Sequence, residues 1–492
     1  MLFNSLKYFM FLPLVYLLFY LVGDRARWCV LLAASLLFYA TLNVPYLLVV
    51  LVLVTITTYG FGIWLDKADS PKAKCILLWS GIAANVLILV IMKYLPFLSE
   101  NLKYLSTLIS LKTQIQPVKA LVSIGVSYYV LQAVSYLSDI YLEIEKPERH
   151  FGSFALYMAF FPKLLQGPIE RSGYLLPQLK KPYVFSYDNM RSGMILFAWG
   201  LMKKVVIADR FALMVNPVYD NVHACNGVQL LLATYFFALQ IYFDFSGYTD
   251  MALGTAKMFN INLTNNFNNP YFATSIADFW RRWHISFSRW ILDYIFKPLQ
   301  MQWRYWKNWG IAAALLVTFG VSGLWHGASW GYMVWGVLHG AYMAIAVFCK
   351  PIQKRILATL NVNHKSVTYK IFNIIVVFNL VCFAWIFFRS KSIQDSYYII
   401  ASIFRSFTNA NAFVFGDFIT YDYSLIHQSL LLCTTLAYAI TVFVVESNGV
   451  GFAMNKLLAQ NTLKRQSVYM ILLLSLLFLG IVDNTKFLYL QY

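Results

Sequence analysis

The sequence predicts an all-α fold, a polytopic bundle of transmembrane helices, on three observations. Hydrophobic residues make up 60% of the 492 residues and charged residues only 12%, whereas a soluble globular domain carries about 25% charged residues. Apolar runs of roughly 20 residues, the length of one span, recur with short basic connectors between them. Aromatic residues reach 18%, with 34 Tyr and 14 Trp, as suits side chains that sit half in hydrocarbon and half at the headgroups, or a packed helical core. About 10 to 12 spans, with re-entrant or interfacial helices besides, account for the chain. They form a single integral membrane domain over residues 1–492, with N-terminal spans at 1–120, a core that carries the chemistry at 121–348 and C-terminal spans at 349–492.

The run from Tyr8 to Val22 is followed by Gly23-Asp24-Arg25-Ala26-Arg27 and no small-residue cleavage site, so it reads as a retained first span and not as a signal peptide. From Arg27 to Leu65 the apolar stretch is too long for one helix, and Asn43-Val44-Pro45 supplies a turn near its middle. Two further spans result. The connectors with Arg25 and Arg27, and with Lys67, Lys72 and Lys74, then share one side, which the positive-inside rule makes cytoplasmic. Gly125 to Leu142 and Leu230 to Phe245 read as spans. Phe161 to Pro182 and Phe279 to Leu299 are broken by Pro or carry several charges, and such backbone is tolerated at membrane depth only against protein or a water-filled cavity. The last spans, Tyr369 to Phe388, Ser429 to Glu446 and Ser467 to Asn484, enclose two basic connectors on one side. The same rule places both termini outside.

The net charge of +18 is scattered among connectors, which fits an anionic membrane surface and gives no nucleic-acid stripe. The six Cys occur singly, without a CxxC pair, so neither a metal site nor a disulfide framework is supported. No Gly-x-Ser-x-Gly elbow, Walker loop or HExxH is present, which argues against hydrolase, ATPase and metalloprotease chemistry.

Four stretches can carry chemistry. In Val321-Ser322-Gly323-Leu324-Trp325-His326-Gly327-Ala328, inside the apolar stretch from Gly310 to Phe348, His326 is an intramembrane ionisable residue. Such a residue marks a functional site by default, against the alternative of a neutral core histidine on a close-packed glycine-rich helix. In Asp278 to Trp290, helical spacing puts Trp283, Phe287 and Trp290 on one side and Arg281, Arg282 and Arg289 on another, with His284 at the border, as in a helix lying at the interface. Those arginines suit either donor phosphates or anionic lipid. Tyr242 to Met251 places Asp244 beside an apolar span, where a structural ion pair is the expected arrangement. Phe161 to Arg171, turn-rich and interrupted by Gly167-Pro168, reads as a wall of a cavity. His339, in the same apolar region as His326, reads as a satisfied core histidine.

Trp283-His284, followed by Trp325-His326-Gly327, resembles the membrane-bound O-acyltransferase family. Within it the chain is most similar to the branch of bacterial alginate O-acetylation, with teichoic acid D-alanyl transfer more distant. The supporting residues, in order, are Phe161 to Arg171, Asp244-Phe245-Ser246-Gly247-Tyr248-Thr249-Asp250-Met251-Ala252, Asn266-Phe267-Asn268-Asn269-Pro270-Tyr271, Asp278 to Arg289 and Ser322 to Gly327. The resemblance implies a bundle around a central tunnel in the bacterial inner membrane. A thioester donor, acetyl-coenzyme A, enters from the cytoplasm, no cofactor is held, and the acyl group leaves toward an extracytoplasmic glycan with the help of an esterase-like partner. It places the family's catalytic histidine on His326 and the second histidine of the polymer-modifying branch on His284. Arg281, Arg282, Arg289, Trp283, Trp325, Asp244 and Ser322 are the candidates for contact with donor or substrate. Gln166 before Gly167-Pro168, and Leu292-Asp293-Tyr294 leading into Met301 to Trp306, depart from the alginate branch, so the acceptor stays open between alginate and another surface or secreted glycan. A transporter or flippase for a small polar or lipid-linked substrate is the rival reading, favoured by broken helices and disfavoured by the lack of an inverted repeat.

Overall fold

The computed structural model describes residues 1–109, 116, 118–363, 365–408, 425–447, 449–481 and 487–488. Among these residues every regular element is helical, and eight helices are long and apolar enough to cross a membrane. The last four residues, and with them the expected placement of the C-terminus, lie outside the described residues.

The chain divides into two compact units. The first comprises Met1–Phe197 and Tyr248–Thr264. It opens with α1 (Leu6–Leu21), α2 (Asp24–Ala40) and α3 (Pro45–Lys67), and the expected turn falls at Asn43, whose φ of 58° is left-handed. Helix α4 (Pro71–Leu89) runs through a π-helical turn at Val90–Tyr94 into α5 (Leu95–Leu108). Local sequence sets these starts. Ser5 and Ser70 accept from the amides of Tyr8 and Ala73, and Pro45 and Pro71 occupy first-turn positions where no amide is needed. Helix α6 (Val126–Tyr141) lies against α3 and α4, with the Tyr136 ring over Gly62 and Leu137 over Gly81. Helices α1, α2 and α6 have 16, 17 and 16 residues, short of the roughly 20 of a full span.

The broken stretch after α6 forms α7 (Phe151–Ala159), α8 (Phe161–Leu164) and α9 (Ser172–Lys180). Residues 160–170 are all buried, as a wall requires. Their charged groups are hydrogen-bonded inside the unit. Lys163 donates to Gln132 Oε1, and Glu170 accepts from the amide and hydroxyl of Thr264 at 2.6 and 3.0 Å. Burial pulls the Lys163 amine down to about 7 and pushes the Glu170 carboxyl up to about 7.

The second unit comprises Ala198–Gly247 and Asn265–Leu488. Helix α10 (Tyr187–Met202) passes through a π-helical turn at Lys203–Ala208 into α11 (Asp209–Asp220), and α12 (Gly227–Met258) follows. After α13 (Ile276–Arg282), α14 (Ile285–Ile291) and α15 (Lys297–Gln302) come the antiparallel neighbours α16 (Asn308–His326) and α17 (Trp330–Thr359). Then follow α18 (Val367–Arg389), α19 (Ile393–Thr408), α20 (Leu425–Ser447), α21 (Val450–Leu458) and α22 (Thr462–Leu479).

Helices α16 and α17 touch backbone to backbone. A Cβ on Gly323 would stand 2.2 Å from the Tyr332 carbonyl oxygen, and one on Gly336 would stand 2.2 Å from that of Phe319. Small residues permit this approach, and in lipid the packing gained by it holds helices together. Gly336→Val is expected to force the pair apart and to destabilise the protein by about 1–3 kcal/mol, the range for overpacking. A thermal midpoint of the purified variant equal to that of the wild type would show that the contact is dispensable.

Candidate active site

Helix α16 ends at His326 because Gly327 takes extended backbone, with φ −170°, and the chain reverses through Ala328-Ser329 into α17. The apolar stretch that reads as continuous from Gly310 to Phe348 is therefore two helices, with His326 at their junction. The side chain of His326 is 5% exposed and sits among aromatic rings. Trp335 of α17 stands perpendicular to it at 4.9 Å between centroids, and Phe287 of α14 and Phe388 of α18 each approach to 5.6 Å. Ser322, one turn earlier on the same face of α16, is fully buried.

The second histidine reaches the same neighbourhood by a break that periodicity does not predict. Helical spacing over Asp278 to Trp290 suggests one interfacial helix, but α13 stops at Arg282 and α14 begins at Ile285. Between them His284 holds the left-handed conformation, φ 43°, uncommon outside glycine. Tertiary hydrogen bonds impose it. Asn266 accepts the Ile285 amide on its backbone oxygen at 2.9 Å and the Ser286 amide on Oδ1 at 3.1 Å, while the Asn268 amide donates to the Arg282 carbonyl at 3.0 Å. His284 is fully buried, in edge contact with Phe245 at 4.8 Å and close to Phe287 and Trp325. It lies outside the eight spans, and burial lowers its pKa to about 3, so the ring is neutral throughout the physiological range. Phe287 and Trp325, stacked at 4.3 Å, are shared neighbours of His284 and His326, so the structure brings the two histidines together around one aromatic pair.

Trp283 packs in the same interior, stacked on Phe279 and close to Trp385. The arginines do not join it. Arg281 and Arg289 are exposed, and Arg282, half-buried, bonds to Asp278 at 3.0 Å. Asp244 belongs to a separate buried ionic cluster, the structural pairing the sequence suggests. Lys204 Nζ lies 2.7 Å from Asp244 and 2.8 Å from Asp209, and the amide of Leu488 donates to the other oxygen of Asp244 at 2.9 Å. The adjacent Lys203 pairs with Glu446, which also accepts from Tyr242.

His339 differs from its sequence reading in one half of its ring. Trp280 Nε1 donates to His339 Nδ1 at 3.2 Å, which leaves the ring proton on Nε2, and that nitrogen is buried without an acceptor among the described residues. Trp335 Nε1, Trp385 Nε1 and Ser322 Oγ are in the same condition. Trp335 and Trp385 are functional candidates that composition hides among the other tryptophans. For Trp335 the one signal is the spacing Trp335-Gly336 followed by His339-Gly340, which stacks two polar rings and two glycines on successive turns of α17; Trp385 on α18 carries none. Among the described residues no three His, Cys, Asp or Glu side chains gather as a metal site requires.

Residues 71–390 match the family model of the MBOAT, membrane-bound O-acyltransferase family. The chain is similar to a peptidoglycan O-acetyltransferase of Helicobacter pylori, with 32% identity over 80% of this chain and 78% of the relative. It is similar to a protein named probable alginate O-acetylase of Pseudomonas syringae pv. tomato, with 34% identity over 78% of this chain and 71% of the relative. A teichoic acid D-alanyltransferase of Bacillus subtilis shares 27% identity over 68% of this chain and 81% of its own length.

Proposed function

The chain belongs to the membrane-bound O-acyltransferase family, and from that premise we propose that it moves an acetyl group from a cytoplasmic thioester to hydroxyls of an extracytoplasmic polysaccharide, with His326 as general base. It is an O-acyltransferase and a multi-pass membrane protein, and the carrier reading gives way to the enzymatic one. The observation that carries the proposal is the setting of His326, buried at the junction of α16 and α17 among aromatic rings and beside hydrogen-bond donors that lack acceptors among the described residues. Relatives named for acetyl transfer to alginate and peptidoglycan support the acyl group and the class of acceptor. They leave the polymer itself open.

An alcohol is a poor nucleophile until a positioned base removes its proton as the new bond forms. In the proposed step a hydroxyl oxygen, of the acceptor glycan or of a carrier that passes the acetyl group on, bonds to the thioester carbonyl carbon and His326 takes the hydroxyl proton. The carbon–sulfur bond then breaks, and the proton passes from the imidazolium to the departing thiolate. One ester and one thiol result. Neutral His284 orients the donor or completes the proton path. Arg281, Arg282 and Arg289, lying outside the aromatic interior, suit contact with phosphates of acetyl-coenzyme A. The orientation that fits is the one the basic connectors favour, with both termini outside the inner membrane and an esterase-like partner handing the acetyl group to the glycan.

The test is ester-linked acetate on purified surface and secreted glycans from cells with and without the protein. Loss on deletion and recovery with the wild-type chain is the expected result. Acetate that does not change on deletion would remove the acetyl-transfer proposal.

A further inference from the structure

Around His326 the second unit holds four buried donors without acceptors among the described residues: Ser322 Oγ, Trp335 Nε1, Trp385 Nε1 and His339 Nε2. All four side chains are 0% exposed. The large majority of buried side-chain polar atoms in proteins are paired, and the gathering of four unpaired donors in one aromatic interior points to an occupant rich in acceptors. The hydrogen of an indole on nitrogen can only donate. A neutral carbonyl oxygen, with two lone pairs and a tendency to gain charge on attack, answers the requirement.

Of the four, Trp335 is the residue whose ring meets the His326 ring, perpendicular at 4.9 Å. Its position is fixed from several sides. Trp385 stacks on it at 5.7 Å, His339 and Phe388 stand at 5.1 and 5.2 Å, and Trp280 abuts it at 5.7 Å. The adjoining Gly336 is pressed against the backbone of α16, which sets the register between Trp335 and His326. A donor held this way needs no reorganisation when charge develops in front of it.

Resting on the acyl-transfer reading above, we propose that Trp335 donates its indole N–H to the carbonyl oxygen of the acyl group that reacts at His326. As the acceptor hydroxyl bonds to the carbonyl carbon, the carbonyl π pair moves onto that oxygen and the Trp335 hydrogen bond strengthens. When the carbon–sulfur bond breaks, the pair returns to re-form the carbonyl and the bond relaxes. Trp335 is thus a catalytic residue distinct from the base, and its contribution falls in kcat and not in donor binding.

The experiment compares the wild type, Trp335→Phe, Trp335 replaced by its sulfur isostere benzothienylalanine, and His326→Ala. Each is the full chain in lipid vesicles, with acetyl-coenzyme A as donor, de-esterified glycan from the producing cells as acceptor, and thiol release as readout. The isostere keeps the ring packing and lacks only the N–H, so it remains informative if the Phe variant misfolds. The expected result is a loss of about 10²-fold in kcat for the isostere, the scale of one removed oxyanion donor. The KM for acetyl-coenzyme A should stay within about twofold. An isostere with wild-type kcat beside an inactive His326→Ala would overturn the role of Trp335 and leave the base reading intact; this is also the result if the indole only holds a water. A rise in KM alone would overturn it too, making Trp335 a binding wall. Full activity of His326→Ala would remove the base reading and the Trp335 proposal together.

Discussion

His326→Ala is expected to lower the rate of acyl transfer by about 10² to 10⁴, the range that general acid-base catalysis supplies. Thiol release from acetyl-coenzyme A by matched amounts of purified protein is the measurement. The aromatic surroundings argue for the upper part of that range. Phe287, Trp325, Trp335 and Phe388 stand within 5.6 Å of the imidazole, leaving little room for a water to replace it as base. His326→Gln separates geometry from basicity, since an amide fills the space and hydrogen-bonds but takes up no proton at neutral pH. It should be as inactive as the Ala variant while keeping the wild-type thermal midpoint. A variant within tenfold of wild type would exclude His326 as the base.

Lys204→Ala is expected to cost about 3–5 kcal/mol of stability, the penalty for leaving buried charge uncompensated. Lys204 sits between Asp209 and Asp244, the three side chains being 2–4% exposed. Its ammonium also faces the Phe487 ring at 4.6 Å, while the neighbouring amide of Leu488 binds Asp244. Removing the amine leaves two carboxylates in a low-dielectric interior and loosens the segment that closes on them. The result should appear as a sharply reduced yield of membrane-inserted protein, or as early thermal unfolding after extraction. Lys204→Met combined with Asp244→Leu removes opposite charges together and should recover part of the loss. A Lys204→Ala variant within about 0.5 kcal/mol of wild type, the scale of a surface substitution, would show that water reaches the cluster.

Much of this architecture is legible in the sequence because it is written locally. The apolar runs become helices, Asn43-Val44-Pro45 turns the chain, and the proline-broken stretch from Phe161 to Glu170 is buried in short pieces. His326, which stands out as an intramembrane ionisable group, and His284 of the aromatic and basic stretch also meet in one interior. What could not be read depends on distant partners. Nothing within Asp278 to Trp290 breaks the helical period at His284; the bonds from Asn266 and Asn268 do so. Lys203 and Lys204 lie in an apolar stretch, yet the carboxylates that justify them are as far along the chain as Asp244 and Glu446. The orphan N–H of His339 is visible only once Trp280 is seen to occupy the other nitrogen. Trp335 acquires meaning only when two glycines let α17 lie directly on α16.

The π-helical turn at Lys203–Ala208 carries a consequence for the phase of the helix. A regular α-helix turns by about 100° per residue, so neighbouring lysines cannot both keep one heading, and here Lys203 and Lys204 serve different acids, Glu446 and Asp244. The wider turn accommodates one residue more than an α-helical turn does. It sets Lys204 and Asp209, five residues apart, over one another, whereas an α-helical turn does this for residues four apart. Charge neutrality in this part of the chain thus depends on counting as much as on composition: with the same residues wound as a regular α-helix, Lys204 and Asp209 would stand about 140° apart.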